Sequence, residues 1–320
     1  MYHDTAAPTP LSRIGEVEDN AQAYLILSSP AVRQRIDPHP RRRHRPGLMV
    51  HCTRRHSVQV RHNIRDINNG RQVLTEMELA GKVALLTGAS GGIGGALGRS
   101  LIAAGTRVAF SYGSHADEAE QLVAQARAAG LDALALAGDL ADPETPARLV
   151  RETAAALGPI DVLIPNAGYA VQQQYTEVDL QAWDRTLAVN LRAPFLLAQA
   201  VLPGMTERLY GRILFMSSIA GFTGGVIGPH YAASKAGLHG VVHFLAPRVA
   251  GQGVTVNAVA PALIEQTRML PAAPGGGTAI PIPVGRYGQP DEVADLAMAV
   301  LRNDYLTNQV LSLDGGIYPR

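Results

Sequence analysis

The amino-acid sequence predicts an α/β protein, with one doubly wound parallel sheet and helices on both of its faces. From Lys82 onward, short apolar runs alternate with longer stretches in which apolar residues recur at helical spacing. This strand, helix, strand rhythm implies parallel pairing through right-handed crossovers. The first apolar run also ends in a cluster of glycines, and a helical stretch follows it. A βαβ unit is therefore expected at the start of the domain.

The predicted elements follow one another in a regular order. Strands are predicted at residues 83–87, 107–111, 133–137, 162–165, 212–217, 255–260 and 310–313. Helices are predicted near residues 92–104, 115–129, 143–157, 181–208, 231–251 and 290–302. A helical stretch separates most neighbouring strands, so we expect a sheet that is parallel throughout.

Composition supports a folded domain and excludes several classes of protein. Of the 320 residues, 47% are hydrophobic and 17% are charged, which is enough apolar material for a large core. The single cysteine, Cys52, cannot close an intramolecular disulfide or build a cysteine-rich zinc site, and no metal site is predicted. The sequence has no run of 18 apolar residues and no secretory signal. We expect a cytoplasmic protein without a membrane partner.

Residues 1–76 differ from the rest of the chain. They contain 12 Arg, no Lys and 7 acidic residues, a net charge of +5, whereas residues 77–320 carry a net charge of −4. Prolines and the basic run at 41–45 interrupt the segment, which has no sustained period. We predict a basic, disordered extension at 1–76 and one domain at 77–320. An alternative is that Met77 is the natural start of the protein.

Two functional interpretations of the extension are weaker. Acidic residues such as Asp4 and Glu16 do not suit a transit peptide. Binding of nucleic acid through phosphate neutralisation calls for interleaved aromatic residues or a recognisable module, and the segment shows neither. No nucleic-acid partner is expected, and salt-dependent binding with and without residues 1–76 tests that alternative.

The glycine-rich run at 87–94 follows the first predicted strand and has the spacing Thr-Gly-x-x-x-Gly-x-Gly. Glycines allow a tight turn and bring backbone N–H groups against a pyrophosphate, whose charge the start of the next helix also favours. A plain structural turn is the alternative. The position of the run in the first βαβ unit favours a dinucleotide.

This spacing resembles that of the short-chain dehydrogenase/reductase family. Further matches follow in the family's order: Asp139, the run Asn166-Ala167-Gly168, Asn190, Ser218 and the pair Tyr231-x-x-x-Lys235. The resemblance extends over residues 77–320. It implies a Rossmann-type fold and an NAD(P)-dependent oxidoreductase that acts on CH–OH groups.

The resemblance implies a set of cofactor-binding residues. They are Thr87, Gly88, Ser90, Gly92, Ile93, Gly94, Ser111, Asp139, Leu140, Asn166, Ala167, Gly168, Tyr231, Lys235, Pro261 and Ile264. Asp139 is expected to bind the adenine edge, with a cap-region acid as the alternative. Asn166 and Thr87 are expected to tie the strands beneath the cofactor together.

The end of the second strand predicts a preference for NADP(H) over NAD(H). An acid at this place binds the ribose hydroxyls of NAD and repels a 2′-phosphate, and none occurs before Asp117. The segment also lacks the Arg or Lys that related reductases often carry. Ser111, Ser114 and His115 can donate hydrogen bonds to a phosphate instead.

The pair Tyr231 and Lys235 lies on one face of a predicted helix, one turn apart. A tyrosine ordinarily titrates near 10. We predict that the Lys235 ammonium and an oxidised nicotinamide lower the pKa of Tyr231 by about 2 to 3 units. The alternative is an ordinary surface pair.

The resemblance assigns two further catalytic residues. Ser218 is expected to donate to the substrate carbonyl oxygen, with the adjacent Ser217 as its competitor. Asn190 is expected to anchor a water that links Lys235 to solvent. The predicted reaction is hydride transfer from the nicotinamide to a ketone carbon while Tyr231 protonates the oxygen.

Substrate and partners follow from the resemblance only. The chain is similar to the bacterial 3-oxoacyl-(acyl-carrier-protein) reductase branch of the family, which implies a small or carrier-bound 3-oxoacyl thioester, fatty-acid synthesis and a homotetramer. An arginine patch of Arg208, Arg212 and Arg248 is a candidate surface for an acidic carrier. The Pro- and Gly-rich segment 270–283 is expected to be a lid.

Alternatives to this function remain at this point. Within the family they are a secondary alcohol, sugar or steroid dehydrogenase. From another class, the alternative is a catalytically idle dinucleotide sensor, although the complete Asn, Ser, Tyr and Lys set speaks against it.

Overall fold

The computed structural model describes residues 79–267 and 281–319. Within them, seven strands form one sheet: β1 (Val83–Thr87), β2 (Arg107–Tyr112), β3 (Ala133–Ala137), β4 (Val162–Ile164), β5 (Gly211–Met216), β6 (Val254–Pro261) and β7 (Val310–Leu313). All neighbouring strands pair in parallel, in the order β3-β2-β1-β4-β5-β6-β7. The order reverses between β1 and β4, which opens a crevice at the carboxyl ends of those strands.

The helices of the described residues are α1 (Gly92–Ala103), α2 (Ala116–Ala128), α3 (Thr145–Leu157), α4 (Leu180–Leu187), α5 (Ala193–Glu207), α6 (Ala220–Thr223), α7 (Pro229–Val249) and α8 (Pro290–Arg302). A π-helical turn, Ala188–Arg192, joins α4 to α5. A 3₁₀ turn, Ala250–Gln252, follows α7.

Two apolar layers enclose the sheet. Side chains alternate along a strand, so Ala84 and Leu86 of β1 face one layer while Val83 and Leu85 face the other. The first layer contains the buried faces of α1, α2 and α8, and the second contains those of α3, α5 and α7. The predicted doubly wound Rossmann-type fold is therefore confirmed, since helices cover both faces of a parallel sheet.

Two differences from the predicted elements matter for function. The single helix expected at 181–208 is divided by the π-helical turn, which contains Asn190. The short helix α6 was not predicted, because four residues are too few for a helical period. The predictions for residues 1–76 and for most of the lid at 270–283 concern parts of the chain outside the described residues.

One helical stretch of the described residues, Leu180–Glu207, is long and apolar enough to cross a membrane by length and composition. It packs against α3 and α7, and its Leu197, Ala198 and Val201 are buried in the core. Its apolar composition is explained by this place in the second layer.

The arginine patch proposed for an acidic carrier is not formed. Arg212 is buried at the amino end of β5, where its Nε donates to the Leu301 carbonyl and its Nη1 to the Gly253 carbonyl. Arg208 pairs with Asp161 at the same, amino edge of the sheet. The sequence could not show that Arg208 and Arg212 lie at the edge of the sheet opposite the crevice, because this follows from the fold.

Candidate active site

A cavity of about 680 Å³ opens at the carboxyl ends of the strands. Its lining includes every predicted catalytic and cofactor-binding residue except Thr87 and Asn190, which lie behind its wall. Residues between Gly88 and Ile264 that are distant in the sequence therefore lie together in this cavity. Parallel sheets typically bind ligands at this position, outside the carboxyl ends of the strands where the strand order reverses.

The glycine-rich turn closes one side of this cavity. Gly88 has φ +67°, and a Cβ at this residue would lie 2.7 Å from the Ala167 Cα. A Cβ at Gly94 would collide with the Gly88 carbonyl oxygen, and one at Gly92 would collide with the Gln266 carbonyl oxygen. Helix α1 begins directly after Gly91, which provides no side-chain cap. The free N–H groups of the first turn are thus available to an anion.

Hydrogen bonds tie the floor of the cavity together. Asn166 Nδ2 donates to the carbonyls of Thr87 and Gly88, at 3.1 and 3.0 Å. In return, Thr87 Oγ1 accepts from the backbone N–H groups of Asn166 and Ala167, both at 3.1 Å. These bonds join the end of β4 to the glycine-rich turn, as expected of the two residues.

Asp139 and Leu140 follow β3 and line the opposite end of the cavity. Asp139 Oδ1 accepts from the Ala141 N–H at 2.9 Å, and Oδ2 lies 3.5 Å from Arg185 Nη2. Because its carboxylate is 59% exposed, it remains open to a ligand. It does not cap α3, whose N-cap is Glu144.

The end of β2 forms the end of the cavity at which the sequence predicts the ribose, called the ribose end below. Ser111 is buried, whereas Ser114 and His115 are exposed and joined by a contact of 2.8 Å between Ser114 Oγ and His115 Nδ1. All three line the cavity. No carboxylate faces them from β2 or its loop in the described residues.

At the reacting end, helix α7 presents Tyr231 and Lys235, which are 6% and 3% exposed. Lys235 Nζ lies 5.7 Å from the centre of the Tyr231 ring and donates to the Met216 carbonyl at 2.8 Å. A hydrogen bond joins the hydroxyl of Ser218 to the phenol of Tyr231. Ser218, Tyr231 and Lys235 therefore form one group on the cavity wall.

Burial dominates the electrostatics of this group. Desolvation raises the pKa of Tyr231, and the hydrogen bond from Ser218 offsets only part of the rise. Desolvation also lowers the pKa of Lys235 to about 8. The protein atoms alone therefore do not produce the predicted downward shift of the Tyr231 pKa. The sequence did not reveal how deeply the phenol is buried, and the effect of this burial on the pKa is larger than that of the hydrogen bond.

The structure separates the roles of the two neighbouring serines. Ser218 lines the cavity and bonds the phenol. Ser217 Oγ is buried and turned toward α7, where it contacts the Lys235 carbonyl and His239 Nε2. Strand alternation at the end of β5 explains this division.

Asn190 lies fully buried in the π-helical turn. Its Oδ1 accepts from the Tyr169 N–H at 2.7 Å, and its Nδ2 donates to the Tyr169 carbonyl and to Ser234 Oγ. The side chain of Asn190 thus fixes the loop after β4 to α7. Such π-turns occur frequently at functional sites because the extra residue reorients a side chain.

The last residue of β6, Pro261, lines the cavity together with Ile264 and Thr267 of the loop that follows. Thr267 Oγ1 donates to the Ile264 carbonyl at 3.0 Å. Sequence reasoning missed the apolar wall next to this loop, which consists of Tyr169, Val226, Ile227, Leu263 and Ile317. No periodicity marks these residues, since they come from separate loops. Within residues 79–267 and 281–319, no group of His, Cys, Asp or Glu is arranged to hold a metal ion.

Known proteins are similar to this chain. A family model described as short chain dehydrogenase matches residues 82–274. The 3-oxoacyl-(acyl-carrier-protein) reductase of Synechocystis sp. is 37% identical over 245 residues, which cover 75% of this chain and 98% of that protein. The acetoacetyl-CoA reductase of Allochromatium vinosum is 37% identical over 244 residues, which cover 74% of this chain and 98% of that protein.

A solved structure agrees with these relatives. A blue fluorescent protein from a metagenomic library, in complex with NADPH, is 36% identical, with a TM-score of 0.70. The match covers 75% of this chain and 99% of that one. The chain belongs to the short-chain dehydrogenase/reductase family of oxidoreductases.

Proposed function

We propose that this enzyme uses NADP(H) to reduce a ketone to a secondary alcohol, and that its substrate is a 3-oxoacyl thioester. One observation carries the proposal: Ser218, Tyr231 and Lys235 meet on the wall of the cavity that the glycine-rich turn closes. The cavity is therefore lined by a proton donor (Tyr231), a hydroxyl that can bind a carbonyl (Ser218) and a buried cation (Lys235).

The cavity suits a dinucleotide. Its volume of about 680 Å³ lies within the usual range for a cofactor site. The glycine-rich turn leaves no space for a Cβ at Gly92 or Gly94, so backbone N–H groups approach the ligand directly. Asp139 and Leu140 would hold the adenine, the turn the pyrophosphate, and Ile264, Tyr231 and Lys235 the nicotinamide half.

The bound cofactor supplies a hydride to the carbonyl carbon. The chain's own residues manage the oxygen: Ser218 donates a hydrogen bond to it, and the carbonyl π bond breaks as Tyr231 Oη delivers its proton there. Burial keeps the phenol protonated until that step, because its pKa is raised. The Lys235 ammonium then stabilises the phenolate. Asn190 holds the loop after β4. We place beside this loop a water that links Lys235 to solvent and so returns a proton to the site.

Support for NADP(H) comes from the ribose end. The described residues of β2 and its loop offer hydroxyls and an imidazole at Ser111, Ser114 and His115, and no carboxylate to repel a 2′-phosphate. The similar structure named above contains NADPH. These observations favour NADP(H) over NAD(H).

Support for an acyl substrate comes from the apolar wall. Val226, Ile227, Leu263 and Ile317 would contact a short acyl chain beside the carbonyl. Two relatives are named for reducing 3-oxoacyl-carrier and acetoacetyl-CoA substrates. We further propose a cytoplasmic homotetramer in fatty-acid synthesis, in which the exposed Phe195 of α5 and Phe244 of α7 contact a second copy.

The test is a substrate panel with NADPH and NADH: acetoacetyl-CoA, an acetoacetyl carrier protein, simple ketones, keto sugars and ketosteroids. We expect the highest kcat/KM for an acetoacetyl thioester with NADPH. A sugar or steroid ketone with a higher kcat/KM would overturn the substrate proposal. A lower KM for NADH would overturn the cofactor proposal.

A further inference from the structure

Behind the reacting end, His239 lies one helical turn beyond Lys235 on α7 and reaches the end of β5. Its Nε2 lies 2.8 Å from Ser217 Oγ. The same hydroxyl donates to the Lys235 carbonyl at 3.2 Å. Ser217 Oγ therefore bridges the Lys235 carbonyl and the imidazole of His239.

The imidazole packs against Phe222 and Gly221. Its ring centre lies 4.3 Å from that of Phe222, and Phe222 stacks on Tyr318 at 5.9 Å with an angle of 2°. On the other side, a Cβ at Gly221 would lie 2.7 Å from His239 Cε1. A larger residue at 221 would therefore displace the ring. In this packing, Nε2 faces Ser217.

The contact matters because of the residues on either side of Ser217. The Met216 carbonyl accepts from Lys235 Nζ at 2.8 Å, and a hydrogen bond joins Ser218 to the phenol of Tyr231. Three consecutive residues at the end of β5 are thus attached to α7. Two of these attachments involve predicted catalytic residues, and the third is the Ser217–His239 contact.

We propose that His239 is a positioning residue: through Ser217, it holds the hydroxyl of Ser218 within reach of Tyr231 and of the substrate carbonyl. The inference rests on the proposed function, since it assumes that Ser218 binds the reacting oxygen. A shift of one ångström in such a group is enough to cost up to about a hundredfold in rate.

A double-mutant cycle tests the inference in the full-length enzyme. His239→Leu removes the imidazole and Ser217→Ala removes the hydroxyl. We expect each to lower kcat about tenfold, with the KM for NADPH unchanged, because the cofactor end is not touched. The double variant should lose no more than either single variant, since both remove one contact. His239→Gln, whose amide N–H can donate to Ser217, should recover most of kcat.

The matched control is His243, one turn further along α7. Its Nδ1 lies 2.8 Å from Asn308 Oδ1 on the exposed face, so His243→Leu should leave kcat unchanged. Independent losses that multiply in the double variant would overturn the positioning role, as would a normal kcat in either single variant. If His239→Leu does not fold, Ser217→Ala and His239→Gln still decide. Failure of the proposed function is distinct, since it would appear as an active Tyr231→Phe enzyme.

Discussion

The two ends of the cavity are built in different ways. At the reacting end, the functional groups are buried: Tyr231 is 6% exposed, Lys235 3% and Asn190 0%. At the ribose end, Ser114 and His115 are exposed and contact each other. Burial strengthens each electrostatic interaction at the first end, while solvent weakens it at the second. Single substitutions at the reacting end should therefore change kcat strongly. Single substitutions at the ribose end should change the preference for NADPH over NADH only weakly.

The largest effect is expected at the buried phenol. Tyr231→Phe removes the only proton donor that we assign to the substrate oxygen, and general acids contribute about 10² to 10⁴-fold to such rates. We expect kcat to fall by that factor while NADPH still binds, as measured by steady-state kinetics and by calorimetric titration. Retained turnover would remove Tyr231 from the mechanism.

The next effect concerns stability and pH. Burial lowers the pKa of Lys235 from 10.5 to about 8. Between these values the unfolded chain binds the proton and the folded chain does not, so the wild type gains stability as pH rises through this window. At pH 7 the buried charge costs about 3 kcal/mol. Lys235→Met should therefore be inactive but more stable at pH 7.

Denaturant unfolding at pH 7 and pH 10 measures this difference. The gap between Lys235→Met and the wild type should shrink at the higher pH. Lys82, the other lysine of the chain, lies over the ring of Tyr210, away from the cavity, and Lys82→Met provides the same change of net charge. A Lys235→Met protein less stable than the wild type at pH 7 would contradict the account.

The smallest effect is expected at the exposed end. Ser114→Asp places a carboxylate beside the ribose, and solvent screens it because the residue is exposed. We expect the ratio of kcat/KM for NADPH to that for NADH to fall about tenfold, or about 1.4 kcal/mol. Ser114→Asn, nearly the same size as Asp but uncharged, is the control and should lower the ratio less than Ser114→Asp does. An unchanged ratio in Ser114→Asp would place the 2′-phosphate elsewhere.

The same contrast explains how far sequence reasoning reached. The glycine-rich turn and the Tyr231–Lys235 pair have fixed spacing, and the structure brings them to one cavity. The π-helical turn around Asn190 and the apolar wall with Val226 and Ile317 depend on packing between distant segments, which no local pattern encodes. The raised pKa of Tyr231 in the chain alone was not foreseen for the same reason, since burial is a property of the fold.

The central claim is that this cavity transfers a hydride to a ketone carbon. Its most direct test is a single-turnover reaction of acetoacetyl-CoA with NADPH carrying deuterium at both C4 positions, analysed by mass spectrometry. The account predicts 3-hydroxybutyryl-CoA with one deuterium, located on C3, and about one equivalent per active site. Product without deuterium, or no reduction of any ketone in the panel while NADPH binds, would contradict it.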